Sequence, residues 1–176
     1  VLKIFFSISV AAMAMLILGS CGTDKNKYPP EPFLQINGAY VYNNGNGKDS
    51  FIELDMYYRD GDGDIGLNDG DTLPPFNFGG TDFHNLKIWM YEKKNGKWVK
   101  PFNALANPPD TVNFHERIPR ITPTGRVKWI EGKLTVYIPA EPFGLKPDTV
   151  KLQARLTDRS LRRSAWVESE VLILKH

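Results

Sequence analysis

Five aspartates stand within twelve residues of this chain, in the run Asp60-Gly61-Asp62-Gly63-Asp64-Ile65-Gly66-Leu67-Asn68-Asp69-Gly70-Asp71. Carboxylates at every second position cannot be buried unpaired, and in water they repel one another. A hard divalent cation resolves the conflict, because calcium accepts about six to eight oxygens in a flexible geometry. The interleaved glycines let the chain curl so that alternate side chains converge. Asp60, Asp62, Asp64 and Asp71 are therefore candidate calcium ligands, with Asp69 as a further candidate. The plainer alternative is a solvated acidic turn, since Asp-Gly is also an ordinary turn dipeptide.

The run resembles the twelve-residue EF-hand calcium loop. Asp60, Asp62 and Asp64 fall at loop positions one, three and five, Leu67 at eight and Asp71 at twelve. It departs from that pattern at position six, where Ile65 replaces glycine, and at twelve, where aspartate replaces glutamate. The flank departs too, because Phe51 to Tyr58 reads as a strand rather than a helix. The resemblance thus implies a calcium loop carried on a β scaffold.

Other segments must position this loop. In Phe51–Tyr58, Ile52, Leu54, Met56 and Tyr58 alternate with Glu53 and Asp55, the period of a half-buried strand. Leu86, Ile88 and Met90 alternate with Lys87, Trp89 and Tyr91, and Val150, Leu152, Ala154 and Leu156 form one face of another strand. Phe33–Tyr42 and Trp166–Leu174 have strand composition. Asn95-Gly96 is a two-residue hairpin signal, and Val127–Ile130 with Leu134–Ile138 reads as a second hairpin around Glu131-Gly132. No amphipathic helix is evident. Short strands separated by turns predict an all-β, Ig-like or fibronectin-III-like sandwich of about seven strands, with a long acidic loop. Leu145-Lys146-Pro147-Asp148-Thr149 resembles the loop entering the penultimate strand of fibronectin type III domains, although Lys151 stands where that family has a tyrosine.

In an Ig-like strand order, the loop between strands two and three lies at the same end as the loop between the final pair. The acidic run would then meet Asp158-Arg159-Ser160-Leu161-Arg162-Arg163-Ser164. Two readings follow. Asp158 supplies a further oxygen to a metal, or Arg159, Arg162 and Arg163 pair with the aspartates and no metal is needed. Five acids against three arginines favour a metal with some arginine pairing around it. Charge is uneven in the same sense. Asp49–Asp82 holds nine acids and one base, whereas Phe83 onward holds 17 Lys and Arg against nine acids. The net charge of +2 implies no general affinity for nucleic acid.

The N-terminus reads as a targeting segment. Lys3 precedes an apolar run, Ile4–Leu18, too short for an ordinary membrane span. Leu18-Gly19-Ser20-Cys21 then resembles the bacterial lipobox. That resemblance implies cleavage before Cys21, acylation of its thiol and amine, and anchoring in a membrane through several chains. Gly22, where retained lipoproteins carry Asp, implies passage to the outer membrane. The expected division is a signal peptide at 1–20, a lipidated cysteine and proline-stiffened tether at 21–32, and a sandwich at 33–176. Cys21 is the only cysteine, so the sandwich has no disulfide; a cation would serve as its staple.

Few residues suit covalent or acid–base chemistry. His84, His115 and His176 show no zinc-ligand spacing, and there is no GxSxG or phosphate-binding glycine loop. Glu116 and Glu131 read as surface residues rather than a glycosidase pair. Trp89 and Tyr91 share a strand face and form a candidate ligand or partner face, unless the segment after Lys100 covers them.

Taken from about Phe51 to the C-terminus, the strand, the Asp-Gly-Asp-Gly-Asp-Ile-Gly-Leu run and the final Thr157–Ser164 hairpin resemble a group of small Bacteroidota outer-membrane lipoproteins without a settled activity. The resemblance implies a non-catalytic envelope lipoprotein acting through a protein partner, with a glycan-binding module as the alternative.

Overall fold

The computed structural model of the chain describes residues 27–121 and 128–176. The signal-like segment, Cys21, the first part of the tether and Val127 lie outside them. Strands β1 (Phe33–Asn43), β2 (Asp49–Asp60) and β7 (Ile130–Pro139) form one antiparallel sheet in the order β1-β2-β7. Strands β3 (Leu86–Lys94), β4 (Lys97–Val99), β8 (Thr149–Leu156), β9 (Val167–Glu168) and β10 (Leu172–Ile173) form the other, in the order β10-β8-β3-β4 with β9 also on β8. A two-residue pair, β5 (Phe102–Asn103) with β6 (Asp110–Thr111), stands apart. The protein is an all-β sandwich with the Ig-like division of strands between its sheets.

The core follows from the alternation. Ile52, Leu54 and Met56 of β2 are fully buried against Ile88 and Met90 of β3 and Leu152, Ala154 and Leu156 of β8. Each of these Ile, Leu and Met side chains contributes about 1.5–3 kcal/mol on leaving water, enough for a core that lacks a disulfide. The Asn95-Gly96 turn joins β3 to β4 with Lys94 opposite Lys97, and both turn residues have positive φ (49° and 76°), which matches the right-handed twist of the strands it joins.

Three expectations are corrected. Ile130–Pro139 is one continuous strand along β2, not the second half of a hairpin around Glu131-Gly132. Gly132 lies opposite Tyr58, where an added Cβ would come 2.8 Å from the Tyr58 hydroxyl; the glycine makes room for that ring rather than a turn. The last strand is broken, because the Ser169 hydroxyl accepts the Leu152 amide (2.9 Å) in the middle of it. The visible part of the tether is docked rather than free. Tyr28 and Tyr57 both donate to Glu131 (2.5 and 2.6 Å), Lys27 lies over Trp129 (4.4 Å), and Arg59 sits between the rings of Tyr28 and Phe33. Lys151, in the place of the fibronectin-type tyrosine, binds Glu168 across β8 and β9 instead (2.8 Å).

β2 delivers the chain to the acidic loop and β3 receives it, while β8 leads into the Asp158–Ser164 turn. Both loops therefore leave the same end of the sandwich. They are joined directly, since the Arg159 amide donates to the Asp64 carbonyl (3.1 Å).

Candidate metal centre

Asp60, Asp62, Asp64 and Asp158 converge. One carboxylate oxygen from each lies within 4.8 Å of the other three. Opposite ligands of a calcium-sized ion stand about 4.6–5.2 Å apart, so one cation can reach all four. Asp60 and Asp158 are completely buried, at the end of β2 and just beyond β8, while Asp62 and Asp64 are half-buried above them. The group could hold a metal ion.

Its hydrogen bonding is incomplete in a specific way. Asp60 Oδ2 accepts the Asp64 amide (2.9 Å), Asp64 Oδ2 accepts the Ser160 hydroxyl (2.6 Å), and Asp158 Oδ1 accepts the Arg162 amide (2.8 Å). The Arg162 guanidinium donates to Asp62 Oδ2 (2.5 Å) and weakly to Asp158 (3.5 Å). The remaining oxygens, Oδ1 of Asp60, Asp62 and Asp64, are buried with no donor among the described residues. A buried carboxylate oxygen without a donor is costly, and here three share one site. Burial first, and then the charges of Asp62, Asp64 and Asp158, push the Asp60 carboxyl up to about 7 against the opposing pull of the Asp64 amide. Burial likewise raises Asp158 to about 6, partly offset by Arg162. Asp62, in turn, holds the Arg162 guanidinium above its ordinary value.

The other two candidates do not join the group. Asp71 is carried away to Arg159, which it meets through two hydrogen bonds (2.5 and 3.0 Å), and it also accepts the Asn68 amide (2.6 Å). The Asn68 amide first, and Arg159 second, hold its carboxyl below the usual range. Asp69 is exposed. The EF-hand register fails after Asp64 for a packing reason. Ile65 is fully buried and Leu67 nearly so, so the chain dives into the core where an EF-hand keeps curling. Gly66, at φ +91°, sits so close to the Pro119 carbonyl that a Cβ would come within 2.2 Å of it. The Leu67 amide bonds the Ile118 carbonyl (3.0 Å), closing the acidic turn off from the rest of the loop.

Arginine pairing is present as well. Arg159 takes Asp71, Arg162 takes Asp62, and Arg163 reaches buried Asp82 (3.3 Å). A residue that sequence reasoning missed organises the remainder of the loop. Arg117 donates to four backbone carbonyls, those of Asn68 (3.0 Å), Asp71 (3.2 Å), Phe76 (3.2 Å) and Phe83 (2.9 Å). Nothing in its neighbourhood in the sequence marks it, because its partners lie more than thirty residues away.

Trp89 and Tyr91 do stand on the outer face of β3, but they are not a free platform. The Lys100 ammonium lies 3.3 Å from the Trp89 ring centre and 5.7 Å from that of Tyr91. His115 packs edge-on against Trp89 (4.5 Å), and the Phe114 and Glu116 amides bond along β3 beside it. Burial pushes the His115 imidazole down to about 4, so this ring is neutral near pH 7. Other aromatics are freer, among them Tyr40, Tyr42 and Tyr137 on the outer face of the β1-β2-β7 sheet, with Phe51 between Tyr42 and Tyr137. A groove of about 400 Å³ runs between β7 and Glu116–Pro119, and none of the clustered aspartates lines it.

No family model, curated protein or solved structure matches the chain.

Proposed function

We propose that the protein is an outer-membrane lipoprotein, anchored through acylated Cys21, that works as a non-catalytic binding or accessory subunit of an envelope complex. In this reading Asp60, Asp62, Asp64 and Asp158 bind a structural calcium ion that orders the long loop. The observation that carries the cation is the trio of buried, donorless oxygens on Asp60, Asp62 and Asp64. The three arginines of the Asp158–Ser164 turn each have an aspartate partner, yet these oxygens are left over. An all-oxygen, carboxylate-rich site suits a hard cation such as calcium, which accepts about six to eight oxygens in a flexible geometry. The lipid anchor rests on the lipobox-like Leu18-Gly19-Ser20-Cys21.

The test has three parts. Thermal unfolding of the detergent-solubilised full chain in excess calcium and in chelator reads the ion; an unchanged midpoint removes it. Mass spectrometry of the N-terminal peptide reads acylation of Cys21, and crosslinking in intact envelopes reads the partner. An unmodified cysteine, or a chain that crosslinks to nothing, contradicts the accessory role.

A glycan-binding role is the second reading, favoured by the exposed tyrosines. Its platform is Tyr40, Tyr42 and Tyr137 rather than the covered Trp89 and Tyr91. Stacking on aromatic faces suits a sugar ring, and loss of glycan-array binding in Tyr137→Ala and Tyr42→Ala would select this reading over the first.

A further inference from the structure

The tether and the two loops occupy the same end of the sandwich. An added Cβ on Gly61, in the acidic turn, would come within 2.1 Å of the Tyr28 carbonyl and 2.3 Å of the Pro29 carbonyl. Arg162, on the other loop, donates to the Pro30 carbonyl (3.0 Å) with the same Nη1 that holds Asp62. Lys27 and Tyr28 are fixed to Glu131 and Trp129 at the start of β7. The chain therefore meets the domain at this end, and Lys27 lies six residues after Cys21. At about 3.6 Å per residue, the docked Lys27 stands no more than about 22 Å from the acylated residue.

Three large apolar side chains project from the loops there. Leu73 is 77% exposed and Phe78 is 88% exposed on the long loop, and Leu161 is 42% exposed at the tip of the other. The Arg159–Asp71 pair ties the two loops together two residues from Leu161 and two from Leu73. Resting on the anchor reading above, we propose that this end of the sandwich lies on the bilayer that holds Cys21, with Leu73, Phe78 and Leu161 in its interfacial zone. The tether selects this end, because exposed apolar side chains also occur at the opposite one, where Phe143 is 65% exposed beyond β7.

The acylated full chain in phosphatidylethanolamine–phosphatidylglycerol vesicles tests this. An environment-sensitive fluorophore is placed on Leu73→Cys, Phe78→Cys or Leu161→Cys, with Phe143→Cys as reference; acylation of Cys21 leaves the introduced thiol as the one that reacts. Brominated lipid should quench the three loop labels and leave the Phe143 label bright. Equal quenching at all four positions, in chains that float with the vesicles, overturns this inference alone. A chain that neither floats nor carries acyl groups overturns the anchor reading and this inference with it. Loop labels shielded from a soluble quencher in native envelopes, yet unquenched by brominated lipid, would assign these loops to a protein partner and also overturn it.

Discussion

Two sets of aspartates sit on the same end of the sandwich and are held by opposite means. Asp71 and Asp82 each face one arginine, Asp71 through a two-bond fork. Asp60, Asp62, Asp64 and Asp158 share a single arginine, Arg162, and crowd their remaining oxygens together. A paired carboxylate is satisfied by the chain itself. A crowded one leaves a demand that the described residues do not meet, and the demand is for positive charge at one point. The contrast separates a structural ion pair from a place for an ion.

The widest separation between the two sets should come from calcium. At 100 times its dissociation constant a specifically bound ion adds about 2.7 kcal/mol of stability, which is several degrees in unfolding midpoint for a chain of this size. Asp60→Asn should abolish that response, and in chelator should unfold no lower than the parent, because it removes a buried charge. A calcium response that survives Asp60→Asn would break the assignment. Arg117→Ala comes next. It strips the donor from four carbonyls and should cost about 1.5–3 kcal/mol with or without calcium, and Arg117→Lys should not restore the loss, since an ammonium cannot reproduce the planar fork. Hydrogen exchange at Asn68–Phe83 would localise the effect. Asp71→Asn is smaller, at about 0.5–1 kcal/mol for a partly exposed pair, and should leave the calcium response whole. Were it to reduce that response as Asp60→Asn does, Asp71 would belong with the ligands after all.

Much of the scaffold was legible because it is local. Alternation in Phe51–Tyr58, Leu86–Tyr91 and Val150–Leu156 named the buried face of three strands, and those three with the last pair placed the acidic run beside Asp158. That placement brought out the one member of the group that lies 94 residues beyond Asp64. What failed depended on distant neighbours. The two-residue spacing of Asp60, Asp62 and Asp64 was informative, but extending it to Asp69 and Asp71 ignored Ile65, whose burial redirects the chain. Glu131-Gly132 looked like a turn because nothing nearby in the sequence shows the Tyr58 ring that requires the glycine. The docking of Tyr28 could not be read from a proline-rich segment, since its partner Glu131 is 103 residues away. Arg117 was invisible for the same reason.

A pH series discriminates most finely, because Asp60 and Asp158 should titrate with opposite sign to Asp71. In chelator, burial raises Asp60 from 3.8 to about 7 and Asp158 to about 6. The folded chain then keeps protons that the unfolded chain gives up near pH 4. The protonated side is thus the stable one, and stability falls as pH rises from about 4 through about 7, the loss being complete above that. Asp71 is lowered, so its contribution is present above the ordinary aspartate value and is lost as pH falls below it. Calcium requires the ionised carboxylates, so its stabilisation should be slight near pH 4 and full above 7. Midpoints measured across this range in chelator should descend, and Asp60→Asn should flatten most of the descent while Asp71→Asn leaves it unchanged. A flat profile in the parent chain would mean that Asp60 and Asp158 ionise as readily folded as unfolded. Arg162 and the backbone amides around them would then already balance their charge without an ion, and the distinction between the two sets would disappear.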